Sequence, residues 1–86
     1  MDNRITFGDL DATLRAFGFE PTEVPGSHRL YEHKPSGTRL LLALRPLREE
    51  APFFSWGAVR GTLSDFGFIK HDDFFDIVRN HGKVAS

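Results

Sequence analysis

The stretch Gly26-Ser27-His28-Arg29-Leu30-Tyr31-Glu32-His33-Lys34-Pro35-Ser36-Gly37-Thr38-Arg39-Leu40-Leu41-Leu42-Ala43-Leu44 decides the fold. His28 to His33 reads as one strand and Thr38 to Leu44 as the next. Lys34-Pro35-Ser36-Gly37 connects them as a hairpin, because Pro presets one turn dihedral and Gly accepts a positive one. The second strand is apolar enough to be expected inside the sheet. Leu30 and Tyr31 could each be the buried member of their pair, so the pattern allows His28 either sheet face.

Upstream, Phe19 to Val24 can form a further short strand. Pro21 and Pro25 lack ladder donors, which places it at an edge, and Pro25-Gly26 marks the turn into His28. Before it, Phe7, Leu10, Leu14 and Phe17 recur at steps of three, four and three, one apolar face of a helix. Thr6 is the expected N-cap, with Asp9 at the capping-box offset. Gly18 fits the left-handed position past the helix end.

Downstream, Arg45 to Ser55 is a loop, with Ser55 expected to cap a second helix whose face is Val59, Leu63 and Phe66. Gly67 ends it. Asp72 or Asp73 starts a short third helix carrying Phe74, Phe75 and Val78, and the chain from about His81 is expected to fray. Thr13-Leu14-Arg15-Ala16-Phe17-Gly18-Phe19 echoes Thr62-Leu63-Ser64-Asp65-Phe66-Gly67-Phe68 at five of seven positions. Two helices ending in the same cap account for this; nothing else repeats. The expected architecture is α+β, ordered α-β-β-β-α. Both main helices cover one face of a three-stranded antiparallel sheet, and a short helix follows.

A length of 86 residues allows one domain, spanning 1–86 with a core over about 6–78. The absence of cysteine excludes disulfides and thiolate metal sites and fits a cytoplasmic setting. Met-Asp-Asn-Arg with no apolar stretch behind it is not a signal peptide. The longest apolar run, Leu40 to Leu44, is too short to span a bilayer, which takes about 20 residues. Net charge is −1, but its distribution is uneven: −3 over residues 1–25, +4 over 26–48 and −2 over 49–86. The basic middle coincides with the hairpin.

Histidine is the side chain that ordinarily titrates near neutrality, and the sequence has four. His28 stands at the mouth of the Pro25-Gly26-Ser27 turn, where a side chain can meet a ligand. Arg29, Lys34 and Arg39 share its hairpin. A histidine among cations suits phosphodiester chemistry: it can take the proton of a ribose 2′-OH or deliver one to the leaving oxygen, while cations hold the phosphate. His33, five residues on, falls on the opposite face by strict alternation, so a metal shared with His28 is not expected. Ser27 and His28 point apart and make no catalytic pair. Trp56-Gly57-Ala58-Val59-Arg60-Gly61 lacks the lysine and context of a phosphate loop. Neither His71 nor His81 is given a role. Trp56 with Phe53-Phe54 is either core or a partner surface.

In this order, these segments resemble the HicA toxin family. Thr6 to Phe19 resembles its first helix, and Gly26-Ser27-His28 followed by Arg29-Leu30-Tyr31-Glu32-His33 resembles its Gly-Ser-His strand. Gly61-Thr62-Leu63 through Phe66-Gly67 is similar to its second helix, and Asp72-Asp73-Phe74 to its ending. The likeness covers about residues 6–78. It implies a double-stranded-RNA-binding-domain-like fold, ribosome-independent cleavage of mRNA with no required metal or cofactor, and neutralisation by a HicB-type antitoxin. It implies a catalytic role for His28, with Gly26 and Ser27 forming its turn. Arg29, Lys34 and Arg39 are expected RNA contacts from charge and position alone. Neither DNA nor a membrane is an expected partner. Where the family is rich in Lys, His and Gly before the second helix, this chain carries Glu49, Glu50, Phe53 and Phe54. Two other readings share the fold: a non-catalytic RNA-binding module, and a protein-interaction domain using Trp56 and Phe53-Phe54.

Overall fold

The computed structural model describes residues 4–82. Helix α1 (Phe7–Ala16) leads into strands β1 (Glu20–Val24), β2 (His28–His33) and β3 (Thr38–Ala43). Helix α2 (Phe53–Asp65), a 3-10 turn (His71–Asp73) and helix α3 (Phe74–Arg79) follow. The chain is thus α+β, with one antiparallel three-stranded sheet ordered β1-β2-β3. Among the described residues, no helix is long and apolar enough to cross a membrane.

The register sorts every strand residue to a face, because directly paired residues share one. Tyr31 pairs with Leu40, Arg29 with Leu42 and His33 with Thr38. Tyr31, Leu40, Leu42 and Thr38 are buried, so this is the inner face. It packs on Leu10 and Leu14 of α1, Val59 and Leu63 of α2, and Phe74 and Val78 of α3. His28, Leu30 and Glu32, paired with Ala43, Leu41 and Arg39, lie on the outer face. Tyr31 is therefore the buried member of its pair. One expectation fails here: β3 lies at an edge, not inside the sheet. Its apolar run is half used, since alternation buries Leu40 and Leu42 and leaves Leu41 52% exposed.

Local signals set the helix ends. Thr6 and Asp9 form the expected capping box, each side chain bonding the other's backbone N–H. At the far end, Gly18 (φ 91°) donates to Arg15 and Phe19 to Leu14, which closes the helix with a left-handed cap. Gly67 and Phe68 repeat those two bonds onto Ser64 and Leu63. The sequence echo is therefore one stop signal used twice. Its two terminal phenylalanines also meet: the Phe19 and Phe68 rings are 5.3 Å apart, with the His33 ring against both.

Three expectations for the second half are corrected. Ser55 does not cap α2; the helix starts at Phe53 behind Pro52, with no side-chain cap, and Ser55 is buried in its first turn. Phe66 is not on the packed face but 65% exposed at the C-cap, while Trp56 stacks on Phe74. His81 is not frayed: its Nε2 donates to Asp9 Oδ1 at 2.9 Å and ties the end of α3 to the capping box of α1. The tail beyond it, 83–86, lies outside the described residues.

The loop between β3 and α2 returns across the start of α1. Phe7 donates to the Glu49 carbonyl, Gly8 to that of Leu47, and Ala51 to that of Ile5. Gly8 is needed at this crossing, since a Cβ there would come 2.9 Å from the Leu47 carbonyl oxygen. Gly8→Ala is expected to cost about 1–3 kcal/mol, the range for forced overpacking. Calorimetry should then show the unfolding midpoint falling by roughly 4–8 °C per kcal/mol. An unchanged midpoint would mean that the crossing is loose.

A polar bridge joins α1 to the sheet. The Tyr31 hydroxyl donates to Asp11 at 2.7 Å, and Arg15 holds the other carboxylate oxygen at 2.9 Å. Burial, then the bond to Asp11, pushes the Tyr31 phenol up to about 12. An unfolded tyrosine ionises near 10, so the fold favours the neutral form. The stability this contributes is complete below about pH 10 and is lost as pH rises toward 12. Tyr31 is the single tyrosine, so tyrosinate absorbance reads it directly. The expected midpoint in the folded protein is near 12; one near 10 with the fold intact would contradict the buried bond.

Candidate functional site

The β1–β2 turn is tight. Val24 pairs with His28, leaving Pro25, Gly26 and Ser27 to reverse the chain. Gly26 takes φ 93° and Ser27 φ 61°. A side chain in the left-handed region costs about 1–2 kcal/mol, and Ser27 is held there in part by its carbonyl, which accepts from Leu44 at 2.9 Å. Strain of this kind is often stored beside functional groups. Here it delivers His28 to the outer face at the open end of the hairpin. Gly26 lies close against the imidazole: a Cβ added there would stand 3.5 Å from Nδ1.

His28 is half-buried in a groove of about 320 Å³. Leu41, Leu42 and Ala43 line it from β3, and Phe54, Ser55 and Ala58 from the first turns of α2. The helix start thus overhangs the free edge of the sheet next to the histidine. Phe54 is 88% exposed.

The structure separates the cations expected beside His28. Arg29 is on the inner face, as alternation requires, where the neighbouring Tyr31 phenol raises its already high pKa. Arg39 shares the outer face but pairs with Glu32 at 3.7 Å. The Glu32–Arg39 rung is four residues along the strand from the His28–Ala43 rung, roughly 13 Å at the usual rise. Lys34, past the far end of β2, is 3.7 Å from Glu20. Arg45, just beyond β3, makes two 2.6 Å bonds to Glu49, which hold that exposed carboxylate below its ordinary pKa. Only Gly26 and Ser27, of the residues grouped with His28 in the sequence, are brought to it.

His33 is on the opposite face from His28, as expected. Its Nδ1 lies 2.6 Å from Ser36 Oγ, and its ring packs among phenylalanines. Among the described residues, no group of three or more His, Asp or Glu is placed to hold a metal ion. Phe54 and Leu41 are the groove residues that sequence reading missed as site members. The apolar run of β3 read as core and the Phe pair as either core or a partner surface; the register turns Leu41 outward, and the helix start leaves Phe53 and Phe54 both exposed, with Phe54 beside His28. Compared with known protein families, curated proteins and solved structures, the chain finds no match.

Proposed function

We propose that this protein is a ribosome-independent endoribonuclease of the HicA type, a toxin of the cytoplasm acting on mRNA and held in check by a HicB-type antitoxin. The observation that carries the reading is the placement of His28. A strained turn holds it on the outer sheet face, in a groove open to a ligand. The order of helix, three antiparallel strands and helix, with both helices on one face, supports a double-stranded-RNA-binding-domain-like fold.

In this scheme the His28 imidazole takes the proton of a ribose 2′-hydroxyl as that oxygen attacks the adjoining phosphorus. The new O2′–P bond forms as the P–O5′ bond breaks. The products are a 2′,3′-cyclic phosphate and a 5′-hydroxyl, whose proton comes from protonated His28 or from water. Ser27, exposed on the turn, offers a hydroxyl to the phosphate. Arg39 and Lys34 guide the strand further along the hairpin. Their ion pairs are single, exposed and worth about 0–1 kcal/mol, so an RNA phosphate displaces the carboxylate at little cost. Arg29 serves Tyr31 on the other face and is not assigned to phosphate.

The test is incubation of the purified protein with varied RNAs in EDTA, with end-group analysis of the fragments. Cyclic-phosphate ends are expected; intact RNA across all substrates would overturn the reading. A second reading, a protein-interaction domain, draws on Phe53 and Phe54, which are 69% and 88% exposed. A third, an RNA-binding module, expects salt-sensitive binding that survives His28→Ala.

A further inference from the structure

We infer that the groove beside His28 holds one unpaired nucleobase stacked on Phe54, so that the RNA bound there is single-stranded. This rests on the ribonuclease reading and names its substrate class.

Phe54 is not needed by the fold. Its neighbour Phe53 packs edge-on against Trp56 at 4.8 Å, whereas Phe54, among the described residues, is the most exposed of the large apolar side chains and opens onto the groove. A flat apolar ring standing free beside a histidine suits a base, because every base offers a π-face of similar size. The groove, at about 320 Å³, is at the small end of the range for compact ligands. His28 is the one ionisable side chain in its lining, so recognition there is by stacking and not by charge. In a duplex the base faces are covered by their neighbours, and only an unstacked base can reach such a platform. A protein partner fits less well. A stable interface takes about 20–30 residues a side, and the groove offers two large exposed apolar side chains, Leu41 and Phe54.

The experiment uses the whole protein and fluorescently labelled 2′-O-methyl oligonucleotides of mixed sequence, which lack the attacking hydroxyl and stay intact. Anisotropy compares the single strand with the same strand annealed to its complement. The single strand is expected to bind more tightly. Phe54→Ala should weaken it about 5- to 150-fold, the usual worth of one stacked base, and Phe54→Trp should restore it. The exposure of Phe54 means that folding is not at risk. Equal binding by Phe54→Ala, or equal binding of duplex and single strand, overturns the inference and leaves the His28 cleavage assay to stand on its own. Phe54-dependent binding in a protein that cleaves no RNA supports the base site while overturning the nuclease. Failure of every oligonucleotide to bind overturns the base site.

Discussion

His28→Ala is expected to slow RNA cleavage by about 10²- to 10⁴-fold, the span that a positioned proton-transfer group contributes. The fold should survive. His28 is half-buried on the outer face, and its rung partner is Ala43, so truncation leaves no cavity in the inner core. An unchanged unfolding midpoint beside lost cleavage is the signature of a chemical role. Gly26→Ala supplies a second arm. At φ 93° an alanine is strained, so the turn must shift and the imidazole with it. Cleavage should fall by less than in the alanine variant of His28. A rate–pH profile with a single limb belongs to one titrating group; a bell-shaped profile would require a second and refute the one-histidine scheme. Cleavage by His28→Ala at the parent rate would remove the histidine from the chemistry altogether.

Phe74→Ala should be the most damaging core substitution, at about 3–5 kcal/mol. Phe74 is wholly buried and stacks on Trp56, with ring centroids 6.0 Å apart and planes 21° from parallel. It also carries α3, a helix of six residues, too short to persist without tertiary contacts. For 86 residues the whole stability is roughly 4–13 kcal/mol, so this one change removes much of it. Trp56 is the single tryptophan, and its fluorescence reads the loss of the stacked ring. Thermal unfolding should move down by more than 12 °C at roughly 4–8 °C per kcal/mol. A drop of only a degree or two would place α3 outside the cooperative core. Phe74→Leu, which keeps most of the volume, should cost much less.

What the sequence made legible was mostly local. The Thr6–Asp9 box, the Gly18 and Gly67 stops and the limits of the His28–His33 strand each depend on residues within a few positions of one another. Edge or centre is different, because it depends on which strands are neighbours. Leu40-Leu41-Leu42-Ala43-Leu44 looks central by composition, yet β3 has β2 on one side only. The same applies to the site. The turn at His28 was readable from Pro25-Gly26-Ser27. The loss of Arg29 to the inner face needed the parity of the strand, which one buried residue, Tyr31, decides. The arrival of Phe54 beside His28 depends on where α2 begins, and that start lacks a side-chain cap to announce it.

The bond from His81 to Asp9 joins residues 72 positions apart. During synthesis, α1 is therefore made well before the residue that completes this tie. At roughly 5–20 residues per second, the interval between Ala16 and His81 is several seconds. The sheet is made early in that time, but the face of Phe7, Leu10 and Leu14 waits until its end for α3 to complete its cover. The apolar face of α1 is therefore most exposed to aggregation and to chaperones before α3 is made, and burial of that face is paced by synthesis of α3, not by formation of α1 itself.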